Sequence, residues 1–377
     1  MSRALDPETI TALNQVDPEA AYREISETLA ATSDGLLEIE ILSHTLFPQP
    51  GQFVLRDGRA IGVSKLGLVQ AFMFARKQLR DHLDGTTPPD ADVLALTGVI
   101  LLFDPEYLTA ANTRKRLLQA RISSFSSSSA GGGDDDVILR DLFKKEFHFV
   151  DTLLTSRLHR HTKSPTLWSH RRWLVTVQAS RVGSINFNAD VLKAFQDVVF
   201  VAGERHPRNY YAWCHARFLV GLGVSAASDQ DREDFRRAVF DWCRKHHTDI
   251  SGWSFLWFLL DLEREIPEKA APRASADVFS QVLDLSRWMR PVSESVWWFL
   301  RTVAASGLVS DILIEDFLGV HTEVLAKAKD PVDQAVLRAA VEWYDTHRCR
   351  DGQNIAVGDG RDGDVGADTS NTNRQEG

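Results

Sequence analysis

Residues 206–220, HPRNYYAWCHARFLV, decide the fold. Pro207 marks a turn, Asn209 is a residue type that accepts the free N–H groups of a helix start, and an aromatic-rich helical stretch follows. Trp213 and Arg217 stand at i and i+4, on one face of that helix. Three other stretches align on the same tryptophan: KSPTLWSHRRWLV (163–175) around Trp168, DISGWSFLWFLL (249–260) around Trp253 and SESVWWFLRTV (293–303) around Trp297. The separations are 45, 40 and 44 residues. A period near 43 residues means one helical hairpin per repeat, stacked on its neighbours. Each copy opens on a capping residue: Ser164, Asn209, Asp249 or Ser293. A fifth, degenerate copy lies upstream in DPEYLTAANTRKRLL (104–118), where Ala111 replaces the tryptophan and the basic residues after it remain.

The pattern around and between these copies is helical, with apolar residues three and four apart over Val191 to Glu204 and Asp231 to Arg244. Leu36 to Phe47 and Gln52 to Val63 are the strand-like or irregular exceptions. The expectation is an all-α superhelix of about five helical-hairpin repeats over residues 65–348. Residues 1–64 show no repeat and have no assigned role. A Ser/Gly/Asp stretch, 123–136, reads as a disordered loop that interrupts the superhelix between repeats one and two, and 349–377 as a disordered tail.

Within the repeats, Trp168, Trp213, Trp253 and Trp297 read as packing residues between hairpins, with Arg172 and Arg217 satisfying nearby carbonyls or a carboxylate. His170 and His215, two residues after their tryptophans, point to another face; they line a concave surface or serve as hydrogen-bonded packing histidines. Six further tryptophans, 173, 242, 257, 288, 298 and 343, fall outside the repeated position and read mostly as core.

The 377 residues carry 43 Lys+Arg against 52 Asp+Glu, a net charge of −9 that argues against a bulk electrostatic grip on nucleic acid or an anionic membrane. The three cysteines, Cys214, Cys243 and Cys349, are far apart and form no metal spacing, so no metal site is expected on this chain. They fit a reducing, cytoplasmic compartment. The first 30 residues lack a signal-peptide core and no stretch is apolar enough for a membrane span. No GxxxxGK[ST], GxSxG or HExxH motif points to an autonomous enzyme.

The units resemble the repeats of protein prenyltransferase alpha subunits, whose motif reads close to P-x-N-Y-x-x-W-x-x-R-R. Pro207 through Trp213 match it, and WSHRRWLV from Trp168 is similar to its second half; the resemblance covers roughly residues 65–305. It implies an alpha-alpha superhelix wrapped around a separate beta subunit that holds the catalytic zinc and most of the isoprenoid pocket. The branch that it most resembles implies a Rab geranylgeranyltransferase beta-type partner. The implied activity is of type III: a geranylgeranyl group passes from its diphosphate to a C-terminal cysteine of a protein, such as a Golgi SNARE.

Residue by residue, the family places a lysine five positions before the second-repeat tryptophan, near the diphosphate leaving group, and Lys163 holds that place. A fixed ammonium there stabilises the charge that develops as the carbon–oxygen bond breaks. The family's cleft-facing Asn-Tyr pair matches Asn209 and Tyr210, with Tyr211 beside them. Departures are local: Ser164-Pro165 stands where Asn-Tyr is usual, Phe255 and Trp257 where His and Arg are usual. The alternative function is a non-catalytic helical-repeat scaffold that binds proteins.

Overall fold

A computed structural model of the protein describes residues 11, 13, 15–31, 35–86, 92–125, 134–182, 187–223, 227–264 and 271–348. The chain divides into two compact units, Met1–Leu256 and Trp257–Gly377. Among the described residues the structure is helical apart from one three-stranded sheet.

The first unit opens with α1 (Pro18–Ala30), started by Asp17, whose carboxylate accepts the N–H groups of Glu19 and Ala20. The sheet follows: β1 (Glu38–Leu42) runs parallel to β3 (Ala60–Ser64), and β2 (Val54–Asp57) antiparallel to β3 on its other side. These strands lie within the two stretches that broke the helical pattern. Their inner face, Ile39, Ile61 and Val63, is buried. The outer strands are tied to helices. Glu24 of α1 accepts the N–H groups of Phe53 and Val54 at 2.8 and 3.1 Å, and Leu37 N–H donates to Thr152 Oγ1 at 3.2 Å. The non-repeating N-terminal segment thus closes the start of the helical stack.

Helices α2 (Lys65–Leu83), α3 (Val93–Phe103), α4 (Leu108–Phe125), α5 (Asp134–Leu154), the single turn α6 (His159–Thr162) and α7 (Pro165–Val182) follow. Wide π-type turns at Phe187–Leu192 and Phe195–Val199 lead into α8 (Phe200–Arg205), then α9 (Tyr210–Gly223), α10 (Asp229–Lys245) and α11 (Ile250–Arg264), within which the division between units falls. The second unit continues with α12 (Ala271–Trp288), α13 (Glu294–Ala305), α14 (Asp311–Lys327) and α15 (Pro331–His347). Of the loop expected over 123–136, Ser123 to Phe125 end α4 and Asp134 to Asp136 begin α5; its remainder, and the tail from 349, lie outside the described residues.

Most helix–helix packing is between neighbouring or next-but-one helices, as in a solenoid. In the first unit α5 packs on α7 and α7 on α9; in the second α12 packs on α13 and α14, and α13 on α15. The repeat phase read from the sequence sets the start of five of these helices. Ala111, Trp168, Trp213, Trp253 and Trp297 are each the fourth residue of their helix, and each N–H closes the first turn on the carbonyl four residues back, at Tyr107, Ser164, Asn209, Asp249 and Ser293. The four tryptophans are buried. Of the six others, only Trp242 is buried; Trp173, Trp257, Trp298 and Trp343 are half-buried and Trp288 is 83% exposed, so the expectation of mostly core does not hold for them.

Candidate functional site

Lys163 follows the single turn of α6, half-buried, and its Nζ donates to the Pro207 carbonyl of the next repeat at 2.9 Å. The same junction is fastened from the other side. Asn209, fully buried, begins α9 by accepting the Ala212 N–H and donates its amide to the Thr162 carbonyl at 2.9 Å. That carbonyl also accepts the Trp168 indole N–H at 2.8 Å. Lys163 is therefore held between a repeat tryptophan and the Asn-Tyr pair of the following repeat. Tyr210 and Tyr211 are exposed, 59% and 38%, with their rings edge to face at 5.6 Å.

Other basic residues gather at this end. The ring of His159 stands edge-on to that of His206 at 5.2 Å. Burial lowers the pKa of His206, and the charges of His159 and Lys163 lower it further. Arg160 is paired with Asp104 at 2.8 Å. The Lys163 ammonium with two exposed tyrosines beyond it suits an anion carried by an apolar or aromatic-stacking group.

His170 and His215 do not line a concave surface. They are 2% and 4% exposed and belong to interior polar networks. Arg114 holds Glu146 through two bonds of 2.7 Å, donates a third to the Leu94 carbonyl at 2.7 Å and lies 4.0 Å over the Phe149 ring. Glu146 also accepts from His170 Nε2 at 2.7 Å. Burial alone would raise the Glu146 pKa, but Arg114 and the His170 hydrogen bond bring it down to about 2. Burial outweighs Glu146 at His170 and lowers its pKa, so a neutral ring donates to an ionised carboxylate.

The next repeat repeats the arrangement. Arg171 holds Asp151 at 2.7 and 3.3 Å and donates to His215 Nε2 at 2.7 Å. Burial and then the Arg171 charge keep the His215 pKa well below 6.5. Counted from the aligned position, Arg114 and Arg171 are both third, and His170 and His215 both second. One repeat's arginine is thus linked to the next repeat's histidine, through Glu146 in one case and directly in the other. The same positions further on hold Ala216 and Phe255, and there the polar link gives way to packed rings: Trp213, Trp242, Phe195, Phe235 and Phe255 lie within 4.6–6.3 Å of one another in successive pairs.

Arg172 and Arg217 are the two arginines expected from the repeat to satisfy carbonyls or a carboxylate. Arg217 does reach the next repeat, donating to the Ser254 carbonyl and hydroxyl at 3.3 and 3.0 Å. Arg172 is exposed and stacks over Phe218 at 4.5 Å, while its neighbour Arg171 makes the buried contacts. The signal that points to Arg171 is its register with Arg114, which becomes useful once Ala111 is aligned with the tryptophans.

A cavity of about 210 Å³ lies elsewhere in the first unit, floored by Leu94, Leu118, Leu142 and Phe149 and edged by Arg114 and Glu146. Lys163, Asn209 and Tyr210 do not line it. Among the described residues no group of three or more His, Cys, Asp or Glu is placed to hold a metal ion. These residues do not fit a zinc site.

Residues 143–177, which include Lys163 and Trp168, match the protein prenyltransferase alpha subunit repeat, and residues 167–272 match the ECM9 middle domain. The chain thus carries a protein prenyltransferase alpha subunit repeat and is similar to proteins that contain it. It is 27% identical over 197 residues to protein prenyltransferase alpha subunit repeat-containing protein 1 of Danio rerio, over 48% of this chain and 40% of that protein. It is 26% identical over 226 residues to protein ECM9 of Saccharomyces cerevisiae, over 57% and 55% of the two chains. The geranylgeranyl transferase type-2 subunit alpha of Candida albicans is 29% identical over 129 residues, covering 34% of this chain and 30% of that one. The matched region spans about half or less of the length of these relatives. No described helix is long and apolar enough to cross a membrane.

Proposed function

We propose that this chain is the alpha-type subunit of a heterodimeric protein prenyltransferase, and that it contributes Lys163 to the diphosphate of an isoprenoid donor. The reading combines the family with one observation: Lys163 is fixed across a repeat junction by the Pro207 carbonyl, beside Asn209 and the exposed Tyr210 and Tyr211. An ammonium has three N–H groups, so the bond to Pro207 leaves two for phosphate oxygens. As the bond between the prenyl carbon and the diphosphate breaks, negative charge grows on the leaving oxygen, and a cation already aimed at it lowers the barrier without reorganising. The exposed aromatic surface beside it is closed from water by the beta-type partner, which strengthens the attraction. Zinc belongs to that partner, and no step on this chain is routed through it. The transferred group is geranylgeranyl and the acceptor a C-terminal cysteine thiol of a protein, such as a SNARE, in the cytoplasm.

The test is co-purification of the tagged chain with a Rab geranylgeranyltransferase beta-type subunit, then transfer of labelled geranylgeranyl from its diphosphate with and without Lys163→Ala. A stable pair whose turnover falls about 100-fold in the variant, with the pair intact, is the expected result. A pair that forms and transfers nothing, or no pair at all, would make the chain a helical-repeat binding scaffold instead.

A further inference from the structure

Two of the repeat tryptophans treat their own turn alike. Trp168 Nε1 donates to the carbonyl six residues upstream, Thr162, at 2.8 Å, and Trp253 Nε1 to the carbonyl six residues upstream, His247, at 3.0 Å. For Trp213 that carbonyl is Pro207, and it accepts Lys163 Nζ instead. The Trp213 indole N–H is buried with no hydrogen-bond partner. A buried donor left unpaired is unfavourable, so something else holds the Pro207 carbonyl in its orientation.

The adjacent backbone shows what does. Arg208 has φ of 59°, and among the described residues it is the non-glycine residue with positive φ. Lys163, at the same register one repeat earlier, has φ of −103°. The Arg208 N–H donates to Asp249 Oδ2 at 2.8 Å, and Asp249 Oδ1 accepts the Ser251 N–H at 2.9 Å. Asp249 is 3% exposed, so this carboxylate works where water does not compete for it. One side chain therefore starts α11 and pins a backbone conformation that an arginine does not adopt unaided.

We infer that Asp249 is a positioning residue for Lys163: by holding the Arg208 N–H it keeps the turn before α9 in the form that presents the Pro207 carbonyl to the lysine ammonium. This rests on the prenyltransferase reading for its consequence, while its geometry does not. Three repeats cooperate in it: the second supplies the cation, the third the turn, and the fourth the clamp. It also accounts for an aspartate as the cap of DISGW, where the third repeat has Asn209. An asparagine offers one acceptor oxygen, and this position uses two.

The experiment uses the full chain with its beta-type partner and reads two quantities. The first is the rate at which an amine-acetylating reagent labels Lys163, followed by peptide mass spectrometry against the other lysines. The second is kcat for geranylgeranyl transfer. Asp249→Asn keeps a competent helix cap but turns one acceptor into a donor facing the Arg208 N–H. Its Lys163 should label several-fold faster than in the parent chain, and kcat should fall about tenfold with KM little changed. Adding Arg208→Gly should return both toward the parent values, because glycine adopts positive φ without the clamp. Should Asp249→Asn fail to fold, Asp249→Ser keeps the cap with a shorter reach and carries the same expectations. Unchanged Lys163 labelling in a folded variant, or faster labelling that Arg208→Gly does not reverse, overturns the positioning role. If the parent pair transfers nothing while labelling responds as stated, the prenyltransferase reading falls and the positioning role stands.

Discussion

Arg171 and Arg172 are neighbours in sequence and meet opposite surroundings. Arg171 is buried between Asp151 and His215, whereas Arg172 lies on the surface over Phe218. Burial already raises the Asp151 pKa, and removing Arg171 leaves that carboxyl in the interior without its charged partner, which costs about 3–5 kcal/mol. Removing Arg172 forfeits an exposed cation–π contact of about 0.5–1 kcal/mol. Urea unfolding of Arg171→Ala and Arg172→Ala should therefore separate the two, the first losing several times more stability than the second. Equal losses would mean that the network around Asp151 is solvated. The sequence places both arginines on one helix but does not tell them apart. One residue is a 100° turn of the helix, and the deciding acid, Asp151, is supplied by a different helix.

At the scale of elements the tryptophan phase was legible in full: five helices begin three residues before the aligned position, including the one in which Ala111 has replaced the tryptophan. The buried fourth residue recurs in all five, while a side-chain cap is made by Ser164, Asn209 and Asp249 and not by Ser293. The strands were legible only as interruptions, and their pairing, which places β3 between β1 and β2, depends on contacts far apart in sequence. Gly252, which stands where the preceding copy has Ala212, has a packing cause. A Cβ on Gly252 would lie 2.6 Å from the Trp242 ring and 3.3 Å from Cys243 Sγ, both in the core. Gly252→Ala therefore sets an overpacking cost of about 1–3 kcal/mol against a helix-propensity gain of about 1 kcal/mol. A net loss is expected. Gly319, within α14, has nothing within 4 Å of its added Cβ, so Gly319→Ala should gain about 0.5–1 kcal/mol. Thermal unfolding of the two variants checks the sign of each; a stabilised Gly252→Ala would show that Trp242 yields easily.

Along the first unit as a whole, the interior changes from titratable to aromatic. His161 of α6, His170 of α7 and His215 of α9 are buried, and the Nδ1 atom of each has no hydrogen-bond partner. Burial pushes His161 down to about 4, although its Nε2 bonds to the Leu101 and Leu102 carbonyls, and it lowers His170 and His215 as well. In the unfolded chain these rings titrate near 6.5, so between about pH 6.5 and 4 the unfolded state binds protons that the folded state refuses. Stability accordingly falls with pH across that window, and His161 alone accounts for something on the order of 3 kcal/mol once the fall is complete. Glu146, lowered from 4.5 to about 2, keeps its contribution down to about pH 4.5 and loses it between there and about pH 2, where the unfolded carboxylate binds a proton that the folded one refuses. Helix α10 contains no histidine and packs through Phe235 and Trp242 on the aromatic cluster. In a stack whose repeats are coupled chiefly to their neighbours, acid should loosen one end before the other. Hydrogen exchange at pH 7 and pH 5, corrected for intrinsic rates, should show α5 to α7 losing protection while α10 retains it. If α10 opens together with α7, or ahead of it, the unit unfolds as one cooperative block and the histidines do not set the order.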